Sequence, residues 1–195
     1  MNEGETELLA AVARVVTAFD SLGVDYLIGG SVASSVFGEP RQTVDADLGA
    51  RLLGRHAELF VQRLGGEFYA DLPTIIAATQ SQGCFNLIHL ATMTKVDVFV
   101  RWRSAFAQSQ FVRRQKKSVG ESAPLEFYFA SAEDTVLAKL DWYRLVVASR
   151  SQWRDLLGVL KVQAGALDRA YLAHWAGELG VADLLQRALN EAGLT

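Results

Sequence analysis

The stretch Tyr26-Leu27-Ile28-Gly29-Gly30-Ser31-Val32-Ala33-Ser34-Ser35-Val36-Phe37-Gly38 decides the fold. Three apolar residues running into a double glycine predict a short strand entering a tight turn, because glycine tolerates the left-handed backbone such turns use. Ser31 to Phe37 then suits a short helix, with Ser31 as its N-terminal cap and Gly38 as its stop. Strand, glycine turn and helix in that order make an α/β unit. Such a turn lets a ligand approach the backbone, and the helix start behind it offers N–H groups to an anion, with the Ser31 hydroxyl as a further donor. An ordinary strand-to-helix turn has the same residues, and the Gly-Lys-Ser/Thr spacing of a P-loop is absent.

Just downstream, Thr43-Val44-Asp45-Ala46-Asp47-Leu48 alternates as a strand does. The period of two sends Val44, Ala46 and Leu48 to one face and Thr43, Asp45 and Asp47 to the other. Two acids so placed lie roughly 6–7 Å apart and repel unless water or a cation screens them. Mg²⁺ is the matching counter-charge, since it prefers carboxylate oxygens and keeps waters for a substrate phosphate. A solvated strand edge carries the same pattern. A third acid, Asp97 in Lys95-Val96-Asp97-Val98-Phe99-Val100, tips the balance towards a metal site, because a charge inside a β-prone run is out of pattern unless it serves something. Its competing reading is a salt bridge with Lys95 or Arg101.

Around these strands, helical spacing runs over 8–19, stopped by Gly23, and over 56–64, stopped by Gly65-Gly66. Residues 85–90 and 96–102 read as strands about a turn at 91–94, 104–117 as a helix with a basic end, and 125–129 as an aromatic strand. From Ser131 onward the pattern is helical. Ser131 with Asp134 approximates a capping box before a segment reaching Ala148, Ser151 caps the next helix, and two more follow around 171–179 and 181–192. The expected organisation is an α/β core over 1–130 and a helical region over 131–195 packed on it.

The chain has 195 residues, which at roughly 150 per domain fits one such core with a helical appendage. Apolar residues at 50% and charged residues at 21% exclude disorder and supply a core. With 19 basic and 22 acidic residues the net charge is -3, so any nucleic-acid contact must come from a local patch. Arg101, Arg103, Arg113, Arg114, Lys116 and Lys117, with Trp102, Phe106 and Phe111 among them and no acid between, form one. It reads as an RNA-contacting stripe or as a solvated helix face with its aromatics in the core. The lone Cys84 excludes an internal disulfide and a Cys-rich zinc site, and its apolar run predicts a buried structural thiol. His56, His89 and His174 share no ligand spacing and are assigned no chemistry. The acidic start is no signal peptide and no run nears the ~18 apolar residues of a membrane span, so a soluble cytoplasmic protein is expected.

Together, Gly29-Gly30-Ser31, Asp45-x-Asp47 and Asp97 resemble the signature of the DNA polymerase β-like nucleotidyltransferase superfamily: a Gly-Gly/Ser turn opening a helix, a strand with paired acids, and a third strand acid. Arg41-Gln42-Thr43-Val44-Asp45-Ala46-Asp47-Leu48 looks like its bacterial abortive-infection (AbiEii-like) type IV toxin branch. Ser131-x-Glu133-Asp134, Lys139-Leu140 and Arg154-Asp155-Leu156 look like the same branch. The resemblance implies a mixed sheet flanked by helices with a C-terminal helical bundle. It also implies transfer of a nucleoside monophosphate from an NTP to a hydroxyl acceptor, with pyrophosphate leaving. In that scheme Asp45 and Asp47 hold two Mg²⁺ ions (or Mn²⁺) bridging the triphosphate, while Asp97 shares the second and helps deprotonate the acceptor. Gly29, Gly30 and Ser31 grip the β- and γ-phosphates, Lys139 reaches the triphosphate, and Arg41 and Thr43 support the site. Asp155 orients Lys139 or acts near the acceptor.

On their residues alone, Lys139 reads equally as a solvated helical lysine and Asp155 as an acid favoured in a helix's first turn. The toxin branch implies an antitoxin partner. Aminoglycoside-modifying enzymes with the same core motif imply a small hydroxylated acceptor, and the basic patch favours RNA over a small molecule or a protein. The alternative is a non-catalytic relative that binds nucleotide or a protein partner through the same fold, although retention of all three acids favours activity. A Mg²⁺-dependent phosphohydrolase ranks last, for want of a base or nucleophile constellation.

Overall fold

A computed structural model of the chain describes residues 3–120, 124–145 and 149–194. Along it run α1 (Glu3–Ser21), β1 (Tyr26–Ile28), α2 (Gly30–Phe37), β2 (Asp45–Ala50), α3 (Ala57–Leu64), β3 (Phe68–Tyr69), α4 (Leu72–Ser81), β4 (Cys84–His89) and β5 (Thr94–Phe99). Then follow α5 (Ala105–Arg113), β6 (Gln115–Val119), β7 (Leu125–Phe129), α6 (Ala132–Leu145), α7 (Arg150–Val162), α8 (Arg169–Glu178) and α9 (Ala182–Glu191). The chain divides into two compact units, one of Met1–Gly29 with Gln42–Phe129 and one of Gly30–Arg41 with Ala130–Thr195. The expected organisation has a single boundary, after residue 130. The structure instead moves α2 and its following loop into the helical unit, so the double glycine is where the chain leaves the sheet. Among the described residues no helix is long and apolar enough to cross a membrane.

The sheet unit holds a mixed seven-stranded sheet in the order β3-β4-β5-β2-β1-β7-β6. β2 runs parallel to β5 and antiparallel to β1, β1 runs parallel to β7, and the outer pairs are antiparallel. One face is apolar: Ala46, Leu48 and Ala50 of β2, Val96 and Val98 of β5, and Phe85 and Leu87 of β4 are all buried. α1 supplies a matching stripe, Leu8, Ala11, Val12, Val15, Val16 and Phe19, at the helical spacing that closes one face. Phe19 stacks on Phe60 of α3 at 4.8 Å between centroids, and Phe60 meets Phe85 edge-on at 6.2 Å. Each such side chain, fully buried, contributes roughly 1.5–3 kcal/mol. The alternate residues of β2 and β5 are only half-buried, and these include the three acids.

Several expectations need correction. Val44, expected on the apolar face, precedes β2 and is 78% exposed. α4 and β3 were not foreseen. α4 starts where Asp71 accepts a hydrogen bond from the Thr74 amide, a local cap with Pro73 in the first turn. The expected helix over 104–117 stops at Arg113, and Lys116 and Lys117 lie on β6, an edge strand paired with β7. The open edge of β7 overrides local helical spacing, and exposed lysines on an edge oppose further strand addition.

In the helical unit, Ser31 lies inside the first turn of α2 rather than capping it, and Gly30 heads the helix with φ +56°. Gly38 ends α2 against α7: a Cβ there would stand 2.7 Å from the Val159 backbone nitrogen. Only glycine permits that approach, and Gln163 Nε2 donates to the Phe37 carbonyl at 2.8 Å across the same contact. Ser131 caps α6, accepting from the Asp134 amide at 3.1 Å while its hydroxyl donates to the Asp134 carboxylate. The Tyr171 hydroxyl of α8 donates to that carboxylate at 2.6 Å, and the Asp168 amide donates to Glu133 at 2.9 Å. The expected end of this helix at residues 146–148 lies outside the described residues. Ser149, not Ser151, precedes α7.

Candidate active site

The pairing register places Asp47 directly beside Asp97 on the parallel β2–β5 ladder, with Asp45 two residues back on the same face. Neighbouring strands lie about 4.8 Å apart, so Asp47 and Asp97 bring two carboxylates to one patch. The burial alternation that makes Ala46, Leu48, Val96 and Val98 core residues turns all three acids to the other face. The Gly29 amide donates to the Asp47 carbonyl at 2.8 Å, which ties the glycine turn to the acid strand.

Each acid has company. The Lys95 ammonium lies 2.9 Å from Asp97, and Asn86 Nδ2 of β4, the register partner of Asp97, donates to its other oxygen. The Thr43 hydroxyl donates to Asp45 Oδ1 at 3.1 Å, a direct contact for a residue expected only to support the site. The hydrogen bond to Asp97, with the charges of Asp97 and Asp45 behind it, raises the Lys95 pKa. Cys84 lies near these acids. Burial first, then the Asp97 and Asp47 charges, push its thiol up to about 11, so it stays protonated at neutral pH and is a poor nucleophile.

Asp45, Asp47 and Asp97 were expected to converge on metal. They share a face, yet among the described residues no group of three His, Cys, Asp or Glu side chains is placed to hold an ion. The donor set fits a hard cation in kind, since all three offer carboxylate oxygens. Asp97 is instead turned to Lys95 and Asn86, so the residues fit an ion once that ammonium is displaced.

The helical unit carries a second cluster. Arg41 grips Asp155 in a two-pronged contact, Nε to Oδ1 at 2.8 Å and Nη2 to Oδ2 at 2.9 Å, and Nη2 also donates to the Ser31 hydroxyl at 2.6 Å. The Lys139 ammonium donates to Asp155 Oδ2 at 3.1 Å and to Gln152 Oε1 at 2.6 Å. Lys139 is only 4% exposed, which ends its reading as a solvated lysine. Asp155 is the sixth residue of α7 and buried, so it is no first-turn acid. Burial alone would raise its pKa, but the hydrogen bonds and charges of Arg41 and Lys139 prevail and hold the carboxyl below its ordinary value.

Sequence reasoning missed Asn86 and Gln152. Asn86 left a trace as the lone amide in the apolar run 84–88, but its partner depends on strand register. Gln152 lies one turn before Asp155 and had no distinguishing signal. Of the histidines, burial lowers the pKa of His56, and His89 bonds to the Thr92 hydroxyl at 2.8 Å. The basic run is divided between α5, the residues around it and β6, so it forms no single helix face.

No protein-family model matches the sequence, and neither does any curated protein. Two solved structures resemble the fold over nearly its whole length. One is an antigenic nucleotidyltransferase-like protein from Paracoccidioides brasiliensis, with TM-score 0.58 and 17% identity over 93% of this chain and 90% of that one. The other is the antibiotic-resistance factor ANT(2'')-Ia, with TM-score 0.55 and 15% identity over 95% of this chain and 96% of that one. At such identities the likeness speaks for fold alone: the chain is a mixed α/β protein with the nucleotidyltransferase-like fold.

Proposed function

We propose that the chain is a nucleotidyltransferase that moves a nucleoside monophosphate from an NTP to a hydroxyl acceptor with the aid of Mg²⁺ or Mn²⁺. The observation that carries this is the register pairing of Asp47 with Asp97, with Asp45 on the same face, within a nucleotidyltransferase-like fold. Asp45, Asp47 and Asp97 would hold the divalent ions. When bound, such ions neutralise charge on the attacking and leaving oxygens of a phosphoryl displacement.

The chain's own residues do the rest. Asp97, released from Lys95, accepts the acceptor hydroxyl's proton. The Gly29 amide is already committed to Asp47, so its part is to shape the turn rather than to bind phosphate. Within the helical unit, Asp155 fixes the plane of the Arg41 guanidinium, which in turn holds the Ser31 hydroxyl, so these two side chains form a preset anion-binding pair. Lys139 is buried against Asp155 and Gln152, so it acts as a positioning residue through that carboxylate.

The toxin-like role and its antitoxin partner rest on the similarity of residues 41–48 and 131–156 to the abortive-infection branch. A second reading, a nucleotide- or protein-binding relative without catalysis, draws on one observation: both oxygens of Asp97 are taken by Lys95 and Asn86. The deciding experiment incubates the protein with each of four NTPs, Mg²⁺ and cell extract, and searches by mass spectrometry for nucleotidylated products. Product formed by the wild type and abolished by Asp47→Asn is the expected result. Mg²⁺-independent NTP binding without product would establish the second reading instead.

A further inference from the structure

The sheet unit contains an open cavity of about 380 Å³, lined by Arg51, Phe111, Val112, Arg114 and Tyr128, which the proposed reaction does not use. Its volume lies within the ~300–1,000 Å³ typical of small-ligand sites. Two arginines wall it, each backed by an aromatic ring. The Arg51 guanidinium stands 4.6 Å from the centroid of Phe111, and that of Arg114 4.8 Å from the centroid of Tyr128. A guanidinium seated on a ring is held flat. Its outer plane is then available for stacking and its edge N–H groups for an anion.

The charge is unbalanced in the same direction. One carboxylate, Asp25, serves both arginines, at 2.8 Å from Arg114 Nη2 and 3.4 Å from Arg51 Nη1. Arg114 Nη1 also donates to the Phe111 carbonyl at 2.9 Å, whereas Arg51 has no other hydrogen-bond acceptor among the described residues. The Nε atoms of both arginines are buried without an acceptor. Those two Nε atoms are sealed from the cavity, so the donors left for an anion are the Nη N–H groups that Asp25 and the Phe111 carbonyl do not take. Val112, 82% exposed at the rim, adds an apolar edge.

We infer that this cavity binds a phosphorylated nucleoside, either free or as a unit of single-stranded RNA. The phosphate takes the guanidinium N–H groups and the base stacks on a ring-backed guanidinium plane. On neighbouring β6, Lys116 pairs in register with Tyr128, with its ammonium 2.7 Å from Glu126, and adds a cation on that face of the edge strand. The site needs no metal and stands apart from the proposed nucleotidyl transfer.

The test is therefore run in EDTA. Calorimetry measures 5′-AMP and ribose 5-phosphate, and anisotropy measures a 5′-labelled pentaribonucleotide, against wild type, Arg51→Gln and Val112→Glu. The expected result is measurable binding of AMP or the oligonucleotide, weakened about tenfold or more by Arg51→Gln. Val112→Glu, which adds a negative charge at an exposed position without disturbing packing, weakens it several-fold and decides the matter where Arg51→Gln fails to fold. An oligonucleotide bound much more tightly than AMP, with a log–log salt slope of about 0.7 per phosphate contact, identifies RNA, and equal affinities identify the free nucleotide. Ribose 5-phosphate bound as tightly as AMP overturns the stacking assignment. No binding of any probe, or wild-type binding by Val112→Glu, overturns the site. Because metal is absent, loss of nucleotidyl transfer elsewhere leaves this result untouched.

Discussion

The ammonium of Lys95 lies 2.9 Å from Asp97, the register partner of Asp47, so the acid face already carries a cation supplied by the chain itself. That contact raises the Lys95 pKa, chiefly through the hydrogen bond to Asp97, and keeps the amine charged at neutral pH. A divalent ion arriving at these carboxylates competes with it. Lys95 is about half-exposed, so it can swing to solvent without disturbing the core.

Lys95→Met should therefore tighten binding of Mn²⁺ several-fold, by removing the competitor while keeping the stem. Asp97→Asn should weaken it. Titration with Mn²⁺, followed by electron paramagnetic resonance, reads both. Identical affinities for wild type and Lys95→Met would remove Asp97 from the ligand set.

Asp155 gives a pH dependence whose direction follows from its surroundings. Its carboxyl titrates lower in the folded chain than in the unfolded one, where an aspartate has a pKa near ~3.9. The unfolded chain thus takes up the proton first as pH falls. The stabilisation is fully present above about pH 4 and is lost as pH drops through the folded value. Asp155→Asn should cost about 3–5 kcal/mol at pH 7, because it leaves Lys139 buried beside a neutral amide. Its acid limb should be flatter than that of the wild type. Urea unfolding at pH 7 and at steps from 5 down to 2.5 tests both claims.

Much of this was legible in the sequence for physical reasons. Tyr26–Ile28 followed by Gly29-Gly30 announced strand and turn, and the two-residue period of Asp45 and Asp47 placed them on one face whatever lay beside them. That Asp97 would sit opposite Asp47 was not legible, because register is set by pairing between segments some fifty residues apart. Lys116 and Lys117 continued a helical pattern and became strand, since an open sheet edge outweighs weak local preference. Arg41 and Asp155 are separated by 114 residues, and only the packing of α2 on α7 brings them together.

That packing makes a prediction of its own. A Cβ on Gly38 would stand 2.7 Å from the Val159 nitrogen and 2.9 Å from the Gly158 carbonyl carbon, both backbone atoms that cannot turn aside. Gly38→Ala must push the two helices apart, at a cost of about 1–3 kcal/mol by the usual penalty for overpacking. Urea denaturation should show the loss as a lower midpoint at unchanged slope. An unchanged midpoint would mean that the α2–α7 contact accommodates an added methyl group and does not depend on glycine at position 38.

Asp45→Asn separates charge from shape at the acid face. The amide keeps an oxygen where Thr43 donates its hydrogen bond at 3.1 Å, so the local structure retains its anchor. What disappears is one negative charge on a face where Asp45 and Asp47 repel each other along the strand. Folding stability without metal should accordingly stay within ~0.5 kcal/mol of wild type or rise, since the half-buried site keeps its hydrogen bond and loses a repulsion. NTP binding should behave in the opposite way. If the carboxylates carry the cation that meets the triphosphate, wild-type binding requires Mg²⁺ and Asp45→Asn weakens it markedly. Calorimetry with each NTP, in Mg²⁺ and in chelator, measures this, and thermal unfolding of the same samples measures stability. Equal NTP affinity for wild type and variant, or for wild type with and without Mg²⁺, would take Asp45 out of metal-assisted nucleotide binding. A large loss of stability with unchanged binding would instead make it a structural acid held by Thr43.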